Sequence, residues 1–187
     1  MTKYEITNIT HPGNANLRRI RALQDILRYG VRAGDLGGYI ESKHNLDQDG
    51  DAWIANDAIV AEQAEVSGNA RVYDEAYVSG KALVSDNACV FGRASVYGNA
   101  RVSGETRVFD DAHVFGRASV YGDAQVYDEA LVSGEASVYG DARVSGKAWI
   151  SGNAWVYGEA RVFDDAEVFG DARVSEYAVV AGNEEVS

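Results

Sequence analysis

From Ala52 to Ser187 the chain repeats one six-residue unit, A-x-V-x-G-x, without insertion or deletion. The third position is Val or Ile in all twenty-three units, and the first is Ala except at Thr106 and Glu184. A fixed short period of this kind is the mark of a solenoid, and a period of six points to a β-helix. In an extended segment such as Ala70-Arg71-Val72, residues two apart share a face, so Ala and Val point inward while Arg71 points out. The fifth position is Gly in fourteen units and mostly Asp in the others, and the sixth is often Asn, Asp or Glu. Residues that tolerate positive φ let the chain bend once per unit. Small Ala inside suits a narrow triangular cross-section, whose three six-residue sides make a coil of eighteen.

Longer repeats favour that coil length. Val72-Tyr-Asp-Glu-Ala-x-Val-Ser-Gly recurs at Val126, and Phe109-Asp-Asp-Ala-x-Val-Phe-Gly recurs at Phe163, each a shift of three coils. The segment beginning at Val90 returns at Val114, a shift of twenty-four that does not obey the rule. The fold expected is all-β: a single-stranded left-handed β-helix over residues 46–187, its hand taken from the general class, behind a β-rich cap over residues 1–45.

Charge and cysteine content narrow the function. The net charge is −12, and residues 1–51 hold seven basic and seven acidic side chains, so the solenoid carries the whole excess. An acidic rod is a poor direct ligand for nucleic acid or anionic lipid. Cys89 is the sole cysteine, so no disulfide framework exists. Neither a signal-peptide stretch nor a membrane-length apolar run is present, and a cytoplasmic location is expected.

The leader differs in kind. Lys3 to Ile9 alternates as a strand does and is followed by a turn at His11-Pro-Gly-Asn14. Leu17 to Leu27 fits either a helical face, through Leu17, Ile20, Leu23 and Leu27, or a strand, through Ile20 and Ala22. Leu46 and Gln48 already hold the two inward positions of a coil. A cap at this end would shield the first coil's open edges. At the other end Glu184 replaces an inward Ala, which reads as a device against further stacking.

The leader segments Ile20-Arg-Ala-Leu-Gln-Asp25 and Val31-Arg-Ala-Gly-Asp-Leu-Gly-Gly-Tyr-Ile-Glu41, followed by Gly50-Asp-Ala-Trp-Ile54, carry a family likeness. Together they resemble the YdcK-like family of bacterial and phage β-solenoids. The resemblance implies a left-handed β-helix and favours a strand for Leu17 to Asp25. Family members are sometimes labelled transferases or polymer-forming proteins by analogy, and no catalytic residue carries over. The repeat here is more regular than the family pattern and has no loops.

Stacking at eighteen would turn corner positions into rows. Glu105, Asp123, Asp141 and Glu159 fall in one row, where neighbouring coils stand about 4.8 Å apart. Two carboxylates at that spacing repel by roughly 1 kcal/mol in water. The row is either a solvated edge or a site for something positive, whether a basic partner or a calcium ion. Aromatic residues align too: Tyr73, Phe91, Phe109 and Tyr127 on one edge, Tyr121, Tyr139 and Tyr157 on another, Tyr97 and Phe115 on the third. Trp155 lies beside Tyr157. Such rings either stack for stability or form a recognition strip.

Many hexapeptide β-helices are acyltransferases that use a histidine base and a loop leaving the helix. His113 is the one histidine within the solenoid, and no loop accompanies it. The reading adopted is a non-enzymatic acidic scaffold or interaction module, one that a phage could encode, with no cofactor and no catalytic or metal residues. Its expected binding residues are Glu105, Tyr121, Asp123, Tyr139, Asp141, Trp155, Tyr157 and Glu159, and its expected partner is a protein with a basic surface. Homo-oligomerisation is left open. The alternatives are a CoA-dependent acyltransferase and an acidic decoy of a nucleic-acid-binding host protein.

Overall fold

A computed structural model describes residues 2–187. Each six-residue unit yields one two-residue strand, formed by its second and third positions, and a bend. The strands stack into three parallel sheets. The first runs from Trp53–Ile54 to Val179–Val180 and has eight strands; the third runs from Glu65–Val66 to Arg173–Val174 and has seven. The second sheet continues from Ile59–Val60 to Glu185–Val186 and takes in the leader, reaching eleven strands. Val108 pairs with Val90 below and Val126 above, and the offset of eighteen holds from Trp53↔Arg71 to Glu167↔Glu185. The coil length inferred from the shift of fifty-four is therefore correct, and the β-helix is the architecture.

The inward positions make one continuous core of Ala, Val and Ile, with most residues fully buried. Thr106 is the polar exception among the inner positions of the middle coils; it is buried, and its hydroxyl donates to the Ser103 carbonyl at 2.7 Å. Every fifth position from Asn56 to Gly182 has positive φ, whether it holds Gly, Asp, Asn or Glu. The bend is thus built at the fifth position alone. Where Asp or Glu stands there, its carboxylate often accepts from the backbone amide one coil on: Asp86 from Gly104 at 3.1 Å, Asp128 from Gly146 at 3.0 Å, Glu62 from Gly80 at 2.7 Å.

The leader forms β1 (Tyr4–His11), β2 (Asn14–Ala22) and β3 (Leu36–Ile40). The first two pair antiparallel, as do the second and third, and β3 then pairs parallel with Ile59–Val60. The ambiguous stretch is therefore a strand as far as Ala22, and Leu27–Tyr29 is a short 3-10 turn. Tyr4, Ile20, Ile26 and Ile40 join the solenoid core without a break. Trp53 holds an outward position yet is only 1% exposed, because the leader lies over it. A Cβ on Gly37 would come within 2.7 Å of the Trp53 ring, so this approach requires glycine. At the far end Glu184 is exposed, and its carboxylate accepts from the Ala181 amide at 3.3 Å.

Candidate functional site

The corner joining the third sheet to the first carries all the residues singled out above except Trp155, which stands on the adjoining strand Trp155–Val156. Its backbone is locked. The Glu105 amide donates to the Gly122 carbonyl at 2.8 Å and the Asp123 amide to the Gly140 carbonyl at 2.9 Å, so coils stay in register through the bend. On that frame Tyr121, Tyr139 and Tyr157 stack nearly parallel, with centroids 4.8 and 5.0 Å apart. Such offset-stacked rings favour one another and lose little freedom on doing so. Burial between its neighbours pushes the Tyr139 hydroxyl above its ordinary pKa, and the flanking phenols of Tyr121 and Tyr157 act in the same direction. Tyr121, at the start of the row, is 41% exposed.

Trp155 meets Tyr139 edge-on at 6.3 Å and is 42% exposed. One of its faces is covered by the Arg173 guanidinium, 5.0 Å from the ring centroid. The structure thus brings the tyrosines and the tryptophan together as one patch. The other aromatic rows also form: Tyr73, Phe91, Phe109 and Tyr127 stack at 4.8, 4.9 and 5.0 Å, and Tyr97 and Phe115 at 5.0 Å.

The four carboxylates Glu105, Asp123, Asp141 and Glu159 follow one another at the offset of eighteen. Writing the sixth positions of all three corners in that register shows how unusual this row is. At the first corner Arg93 and Lys147 interrupt the acids, and at the second Lys81 and Arg117 precede Glu135 and Asp171. Each of those rows holds an internal ion pair: Arg93 contacts Asp111 at 2.6 Å and Arg117 contacts Glu135 at 2.9 Å. The third corner has no cation among its sixth positions. Among the described residues, none of its four carboxylates makes a side-chain ion pair or hydrogen bond.

The sequence reading missed what stands next to this row. The outward positions of the first sheet include Arg71, Arg107, Arg143 and Arg161, the last three each two residues after an acid of the row. Asp141, Arg143, Glu159 and Arg161 together line a shallow hollow of about 250 Å³. Glu105, Asp141 and Glu159 are therefore each bordered by an arginine, while Asp123 stands before the neutral Gln125. Writing the second positions in rows of eighteen would have revealed the column.

The histidines lie elsewhere. His113 is on the second sheet, edge-on to Tyr97 at 6.4 Å, and His11 is edge-on to Tyr39 at 4.9 Å. Cys89 is half-buried on the first sheet; burial raises its thiol pKa, with Arg107, Arg71 and Arg28 pulling it down. Among the described residues no group of three or more His, Cys, Asp or Glu side chains is disposed to hold a metal ion. No described helix is long and apolar enough to cross a membrane.

A family model described as YdcK Beta solenoid repeat matches residues 136–152. The matched stretch includes Tyr139 and Asp141 of the third corner, and the chain carries a YdcK-like solenoid repeat, as its leader residues suggested. No curated protein matches the chain.

Proposed function

We propose that this YdcK-like β-solenoid is a rigid, non-enzymatic scaffold that holds a protein partner of basic surface along its third corner. The observation that carries the reading is the contrast between corners. Glu105, Asp123, Asp141 and Glu159 stand in a row without internal cations, whereas each of the other rows includes Lys and Arg and holds an ion pair within itself. Leaving four like charges at about 4.8 Å is a cost of roughly 1 kcal/mol per adjacent pair in water, and a bound cationic surface removes it. The adjacent Tyr121, Tyr139 and Tyr157 offer aromatic surface to Lys or Arg side chains, adding cation–π attraction to ion pairing. Rigidity follows from the coil-to-coil hydrogen bonds, which order the surface before any partner arrives and so lower the entropy lost on binding.

The test compares two double variants of equal charge. Asp123→Asn with Asp141→Asn alters the third corner; Glu129→Gln with Asp165→Asn alters the first. Calorimetric titration with an arginine-rich peptide should show binding weakened about tenfold or more by the first pair and little by the second. Equal weakening by both would mean that only net charge matters and would sink the assignment of the third corner.

A further inference from the structure

The stacked rings of the first corner are interrupted once, and we infer that the interruption at Ser145 is a binding slot for a small planar aromatic anion. The row runs Tyr73, Phe91, Phe109 and Tyr127, then has Ser145 where a ring is due, and resumes at Phe163 one coil later. The four rings before the gap are separated by 4.8, 4.9 and 5.0 Å and lie within 5° of parallel. Tyr127 and Phe163 are two coils apart, so about 9.8 Å separates their positions along the row. A ring inserted midway would lie about 4.9 Å from each, within the 4.5–7 Å range of favourable aromatic pairs. The space is real: Tyr127, Ser145 and Phe163 line a hollow of about 240 Å³.

Its walls set the charge of the occupant. On the side of the first sheet the hollow is lined by Arg143, from the coil of Ser145 itself, and Arg161, from the coil of Phe163. Neither guanidinium makes an ion pair among the described residues. On the other side stand Asp128 and Asp164, but each is turned to the backbone. Asp128 accepts from the Gly146 amide at 3.0 Å and Asp164 from the Gly182 amide at 3.3 Å. A ligand ring between Tyr127 and Phe163 would therefore direct a carboxylate or sulfonate toward the arginines, whose planar donors suit a two-oxygen anion. The second corner has no slot of this kind, because two consecutive residues, Ser133 and Ser151, separate Phe115 from Phe169. In the third corner the three tyrosines are unbroken.

The experiment uses the full chain and naphthalene-2-carboxylate, with naphthalene-2-methanol as the neutral ring and cyclohexanecarboxylate as the anion without a flat ring. Calorimetry at low salt should detect the naphthoate and find both comparators at least about tenfold weaker. Ser145→Phe should complete the ring row, raise the melting temperature and abolish naphthoate binding. Ser145→Ala leaves the slot open and should bind as the parent does. Arg161→Gln should weaken the naphthoate about tenfold while leaving the neutral alcohol unaffected. No binding of naphthoate to the intact chain, equal binding of the alcohol, or undiminished binding by the folded Ser145→Phe variant would each overturn the inference.

Discussion

The guanidinium of Arg71 lies 5.2 Å from the ring centroid of Tyr29 and 4.5 Å from that of Tyr73. Its Nε is buried with no hydrogen-bond partner, so ring faces rather than acceptors hold this part of the cation. Tyr29 belongs to the leader and Tyr73 to the first aromatic row, and the Tyr29 hydroxyl also donates to the Asn69 carbonyl. The leader is thus fastened to the coil it covers. Tyr29→Ala should destabilise the protein by about 2 kcal/mol through lost cation–π contact and burial, measured by urea unfolding. Removing residues 1–45 should go further, baring Trp53 and the open edge at Ile59–Val60 and giving oligomers by edge pairing. A truncated chain with the full protein's elution volume in size-exclusion chromatography would contradict the capping role.

Position along the rod should decide what a glycine substitution costs. At Gly104, φ is +74 and a Cβ would lie 2.6 Å from the Gly122 carbonyl oxygen and 2.8 Å from its nitrogen. At Gly170, φ is +63 but nothing lies within 4 Å. Both Ala variants bear the left-handed backbone penalty of about 1 kcal/mol. Gly104→Ala should cost measurably more, since the next coil must also move. Equal losses in denaturant unfolding would show that the stack absorbs a methyl group freely.

Tyr4 gives a prediction in alkali. Its hydroxyl donates to the Leu46 carbonyl at 2.7 Å, and burial, its largest influence, pushes the phenol up to about 12; a hydrogen bond with Gln48 lowers it and the charge of Asp47 raises it. A folded-state pKa above the unfolded value means the fold favours the protonated phenol. That stability is present below pH 10 and is lost as pH rises toward about 12, amounting to about 2–3 kcal/mol. Lys3 acts oppositely: burial lowers its pKa from 10.5 against the raising effect of Asp47, Asp51 and Asp49, so its loss of charge as pH rises favours the fold. Comparison with Tyr4→Phe isolates the phenol. Between pH 10 and 12 the parent's melting temperature should fall faster than the variant's; parallel curves would contradict the assignment.

The period was enough to read the coil length, the inner positions and all three aromatic rows, because a six-residue unit in threes leaves no freedom in which residues stack. The leader was less legible. Leu23 is 45% exposed and Leu27 76%, so the apparent helical face from Leu17 to Leu27 counted side chains that never enter the core. Trp53 could not be recognised as buried, since a repeat does not say where its leader travels. The sequence shows Arg93 and Lys147 among the acids of the first corner but not what those acids contact. Only the coordinates reveal that Asp128 and Asp164 cap amides one coil away and that Asp111 meets Arg93. The Arg143 and Arg161 column stands on strand positions rather than corners, so it appears only when the second positions are also set in rows of eighteen.

The central claim, that the third corner rather than the most acidic one receives a basic partner, is tested most directly by locating a bound peptide. The first corner holds more acids, among them Asp74, Asp110, Asp128 and Asp164, but intersperses Arg93 and Lys147. An arginine-rich peptide bearing a photoreactive benzophenone would be cross-linked to the intact protein at physiological ionic strength, where exposed charges are screened over about 8 Å. Mass spectrometry of the digest would then locate the adducts. The account predicts adducts concentrated around Tyr121, Tyr139, Trp155 and Tyr157. Adducts concentrated on the first corner, or spread evenly along the rod, would contradict it.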